Sequence, residues 1–95
     1  MLATILSRLT DAATADPTKP YSHRLTNGLR ISIIYHANFH QFNLVLSRDR
    51  VFPSFVEWKT VLDNWPYPTI AKPNPGNVDG RYYLAAMLPV HPKLF

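Results

Sequence analysis

The chain has 95 residues, with ten Lys+Arg against six Asp+Glu, a net charge of +4 and a pI near 9.7. That length holds one domain with a thin core, and 46% hydrophobic against 17% charged residues excludes a chain too polar to bury a core. Cysteine is absent, which excludes disulfide frameworks, thiolate metal sites and thiol nucleophiles.

Leu2, Ile5, Leu6, Leu9 and Ala13 recur at spacings of three and four, so an amphipathic helix is predicted at the N-terminus, within residues 1–16. Asp16-Pro17 ends it, because the residue before a proline is pushed out of the α region. Residues 17–22 carry Pro17 and Pro20 and read as an extended linker to a single small domain over 23–95. A helix on such a tether offers Leu2, Ile5, Leu6 and Leu9 as a candidate protein interface.

Arg24-Leu25-Thr26 precedes Asn27-Gly28, the dipeptide of two-residue type I′ turns, so a hairpin is predicted there. Leu29, Ile31, Ile33 and Tyr35 alternate with polar neighbours and assign one strand face to the core, leaving Arg30 on the other. Phe42, Leu44 and Leu46 repeat the pattern within Gln41–Ser47.

Pro53-Ser54 opens a second helix, predicted over about 54–65, in which Ser54 and Glu57 stand at capping-box spacing. Phe55, Trp58, Val61, Leu62 and Trp65 share its inner face. Residues 66–80 hold four prolines and two glycines without a hydrophobic period and are expected to form a long irregular loop. Gly28, Gly76 and Gly80 are assigned to turns. A last strand follows at Arg81–Leu88, and the tail to Phe95 is expected to pack loosely.

The stretch Leu44–Leu62 runs from a strand ending in Ser47-Arg48 into a Pro53-Ser54 helix start with Glu57-Trp58 in the first turns. Over residues 44–65 it resembles a group of small bacterial and phage proteins without an assigned activity. The resemblance implies a strand, a turn and a helix, and an origin in a mobile element. It carries no site.

No reaction is legible. Glu57 is accounted for by capping, and Asp49 lies between Arg48 and Arg50, which favour its ionised form, the wrong direction for a general acid. No serine stands in a nucleophile-elbow context. His36 and His40 flank a turn, with His23 and His91 elsewhere, so no metal site is expected. No catalytic residue and no cofactor are assigned.

Two clusters have chemistry to weigh. Ser47-Arg48-Asp49-Arg50 is either an anion contact or a solvated turn with Asp49 paired locally to an arginine. Tyr82-Tyr83 beside Arg81 is either a stacking platform or a core strand with one tyrosine outside.

The expected fold is α+β: the N-terminal helix, an antiparallel sheet of three to four strands, and the second helix packed on one face. The expected function is a non-enzymatic accessory or binding protein whose partner is another protein or a second copy. The alternative is a basic nucleic-acid-binding module using Arg30, Arg48, Arg50, Arg81 and Tyr83. No apolar run approaches the ~20 residues that span a bilayer, and Arg8 interrupts the apolar start, so a cytoplasmic chain is expected.

Overall fold

A computed structural model describes residues 1–66 and 71–89. The expected loose tail after Pro89 and part of the expected loop at 66–80 lie outside the described residues. The elements run α1 (Leu2–Ala15), β1 (Tyr21–Arg24), β2 (Arg30–His36), a 3-10 turn (Ala37–Phe39), β3 (Gln41–Asp49), α2 (Phe55–Asp63), β4 (Asn74–Val78) and β5 (Arg81–Pro89). The strands form one five-stranded sheet in the order β1-β2-β3-β5-β4, with every neighbouring pair antiparallel. The α+β class is as expected, with a sheet one strand larger than the upper expectation.

Both helices lie on the same face of this sheet. Ile5, Leu6, Leu9 and Ala13 of α1 join Ile31, Ile33 and Tyr35 of β2, Phe42, Leu44 and Leu46 of β3, and Leu84 and Leu88 of β5 in one core. Leu29 beside the hairpin, Trp58 and Val61 of α2, and Trp65 just beyond it complete that core. Tyr35 and Phe42 pack with ring centroids 4.9 Å apart, and Phe42 meets Trp65 edge-on at 5.6 Å. Such tilted and edge contacts match the ring quadrupoles better than face-to-face stacking does. The α1 stripe therefore serves the chain's own core. Ile5, Leu6 and Leu9 are buried there, and Leu2 is half-buried against it.

Several local expectations are corrected. The Asn27-Gly28 hairpin is not a two-residue type I′ turn. Only Gly28 has positive φ (88°), Gly28 N–H donates to Leu25 O at 3.0 Å, and Leu25 N–H donates to Leu29 O at 2.7 Å. This is a three-residue loop, a type I turn followed by a glycine bulge. The Asn27 side chain accepts from Leu29 N–H at 3.0 Å and holds the turn. β1 consequently ends at Arg24, before Leu25 and Thr26.

The type I′ turn stands instead at Asp79-Gly80, where both residues have positive φ (51° and 76°) between the paired Val78 and Arg81. The expected loop at 66–80 thus contains β4, and Gly76 lies in a strand, not a turn. A Cβ on Gly76 would come within 2.2 Å of the Tyr83 ring, so the ring lies on bare backbone that only glycine provides. In the antiparallel alternation Pro75 opposes Leu84 at a non-hydrogen-bonded position, with its nitrogen toward the open edge. An edge proline of this kind removes an outward donor and discourages strand addition.

Candidate functional site

α2 begins where the sequence places it. Ser54 Oγ accepts from Glu57 N–H at 3.1 Å, and Glu57 Oε1 accepts from Ser54 N–H at 2.8 Å, a complete capping box. Glu57 has a second task that sequence reasoning missed. Arg48 Nη1 donates to Glu57 Oε1 at 3.0 Å, and Arg48 Nη2 donates to Glu57 Oε2, a two-pronged ion pair joining β3 to α2. The Arg48 guanidinium holds the Glu57 carboxyl below its usual value against an opposing push from burial, and the Ser54 amide adds to the lowering.

Asp49 is engaged by Arg81, whose Nε donates at 3.3 Å across the β3–β5 pair. The expected local pairing of Asp49 with an adjacent arginine is therefore replaced by a cross-strand one. Arg50 adopts positive φ (64°) and its N–H donates to Gly80 O at 2.8 Å, tying the strand end to the type I′ turn.

The expected arginine set is thus divided. Arg48 faces the helices and is committed to Glu57. Arg30, Arg81 and Tyr83 lie on the opposite, uncovered face, and Arg50 stands in the turn beyond it. Tyr82 and Tyr83 separate as one-inside, one-outside: Tyr82 packs on Phe52 with centroids 4.5 Å apart, while Tyr83 covers Gly76 on the uncovered face. Arg24, absent from the expected set, joins Arg30 as its direct cross-strand partner. Its signal in the sequence is the six-residue spacing about Asn27-Gly28, legible once the loop length is known.

The described histidines do not converge. His23 faces the helices, where its Nδ1 and Arg8 Nη2 are 3.2 Å apart. His36 and His40 sit at the far hairpin, and His91 lies outside the described residues. No group of three or more potential ligands gathers among the described residues. No described helix is long and apolar enough to cross a membrane.

An apolar surface appears where none was expected. Val51, Phe52, Phe55 and Val56 are all exposed at the entrance to α2, Phe55 by 69% and Val56 by 73%. Phe55 was expected on the inner face. It starts the helix, and a side chain in the first turn leans back toward the N-terminus, away from the core that Trp58 enters. Beside it a cleft is lined by Phe55, Trp58, Lys59, Leu62, Ala71 and Pro73.

Comparison of the chain with protein-family models, with curated proteins and with solved structures found no match.

Proposed function

We propose that this chain is a non-enzymatic binding protein acting through protein–protein contacts, with the entrance of α2 as its contact surface. The supporting observation is the run Val51, Phe52, Phe55 and Val56, four large apolar side chains within six residues, all exposed. Scattered exposed apolar residues need no explanation, whereas a contiguous group of them marks an interaction surface. Two of the four are phenylalanines, a residue type that interfaces favour because it supplies a large rigid area at low entropic cost. The capping box and the Arg48–Glu57 pair fix the helix end that carries Phe55 and Val56.

The test replaces Phe55 by a photoactivatable benzoylphenylalanine in the full chain, with the same group at Asp11 on the polar side of α1 as control. A discrete protein adduct, or a covalent dimer, at position 55 and not at 11 is the expected result. Equal labelling at both positions, or none at 55, overturns the proposal.

A further inference from the structure

The uncovered face of the sheet carries a row that crosses all five strands. The pairing registers align Arg24 of β1, Arg30 of β2, Ser47 of β3, Tyr83 of β5 and Gly76 of β4 side by side. Neighbouring strands are about 4.8 Å apart, so Arg24 and Tyr83 stand roughly 14 Å apart along the row.

Arg24 and Arg30 oppose each other directly. Leu25 and Leu29 form the hydrogen-bonded pair closing the hairpin, which makes the next pair, Arg24 with Arg30, non-hydrogen-bonded. That is the position where facing side chains come closest, and like charges there repel. Neither arginine makes an ion pair among the described residues, since Asp49 is taken by Arg81 and Glu57 by Arg48. The residues around a small cleft at this corner include Arg24, Arg30, Ser47, Arg48, Asp49 and Arg81. Two cations without partners at one end of the row, and a half-buried tyrosine ring seated on glycine at the other, combine backbone-phosphate and base-stacking chemistry on one flat surface.

We propose that this face binds single-stranded nucleic acid, with Arg24 and Arg30 on phosphates and Tyr83 stacking on a base. Opposed guanidiniums that repel in the free protein are bridged by an anionic backbone, and no sequence is read, because arginine–phosphate contacts and stacking tolerate every base. Arg48, whose guanidinium is held by Glu57 on the covered side, takes no part.

The test is fluorescence anisotropy of the full chain with labelled oligothymidylate, oligouridylate and a mixed-sequence duplex, titrated across salt. Two phosphate contacts on a single strand give a logarithmic salt slope of about −1.4. Arg24→Ala and Arg30→Ala are each expected to remove about 0.7 of that slope. Tyr83→Leu is expected to weaken binding about tenfold while leaving the slope unchanged, and Tyr83→Phe to restore it. Lys19→Ala, in the exposed segment between α1 and β1, is expected to change nothing. The two arginine variants also relieve repulsion, so their melting temperatures should match or exceed that of the native chain. The proposal is overturned by absence of saturable binding at low salt, by an unchanged slope in both arginine variants, or by a fall in their melting temperature. Duplex binding as tight as that of either single strand, with Tyr83→Leu without effect, overturns it equally. The two single strands distinguish DNA from RNA as the source of the ligand.

Discussion

The same strands show two faces with opposite rules. On the covered face Ile31, Ile33, Phe42, Leu44 and Leu46 are fully or almost fully buried, and the arginine that enters, Arg48, is matched to a carboxylate. On the open face, one residue along each strand, Arg30 faces Arg24 without a counter-ion among the described residues. A charge drawn out of water needs a partner, whereas a charge left in water does not. A cation on the covered face is therefore part of the fold. On the open face Arg81 is held by Asp49, while Arg24 and Arg30 have no ion-pair partner among the described residues.

Substitutions can break or sharpen this contrast. Trp58→Ala removes the largest fully buried side chain of the covered face and should cost about 3–5 kcal/mol, leaving little folded protein by circular dichroism. A variant that melts like the native chain would show that α2 does not close the core.

Arg48→Ala strips Glu57 of its partner on the covered side and should cost about 1.5–3 kcal/mol in a denaturant titration. The pH dependence carries the sign. Glu57 has its folded pKa lowered from 4.5, so its stabilisation is complete above that unfolded value and is lost as pH falls through the lowered one. Arg48→Ala should flatten this acid loss of stability. An unchanged acid limb would show that the ion pair contributes nothing.

On the open face the sensitive position is Gly76. Gly76→Ala drives a Cβ into the Tyr83 ring and should cost about 1–3 kcal/mol, a cost that shrinks when Tyr83 is also leucine. Additive effects in that double variant would separate the two residues. The smallest effect belongs to the cap: Ser54→Ala should cost about 1 kcal/mol, read as a lower denaturation midpoint at unchanged slope.

Elements with a strong local period were legible in advance. The α1 stripe, the alternations of β2 and β3, the capping box and the inward Trp58, Val61 and Trp65 each depend on spacing along one segment. β4 was not legible, because Asn74-Pro75-Gly76-Asn77-Val78 has neither alternation nor strand-forming residues at its centre. It is a strand because β5 lies beside it and Tyr83 covers its glycine. The Asp79-Gly80 turn signal was present in the sequence but lay inside a stretch that the prolines made look irregular.

The candidate surfaces were decided further still by tertiary structure. A two-residue loop at Asn27-Gly28 would have placed Arg24 opposite Ile31 and turned it toward the core. The three-residue loop places it opposite Arg30, facing out, with His23 against Ile31. One residue of loop length flips a whole strand, and the longer loop turns Tyr21 and Leu25 onto the core and Arg24 away from it. Arg48 with Glu57, nine residues on, and Asp49 with Arg81, 32 residues on, were likewise chosen by strand register and helix docking. Period and capping act through neighbours along the chain and so can be read from it. Which charge meets which, and which apolar stripe remains outside, depend on where distant segments come to rest, because burial changes the free energy of a charge or a ring only once its surroundings are complete.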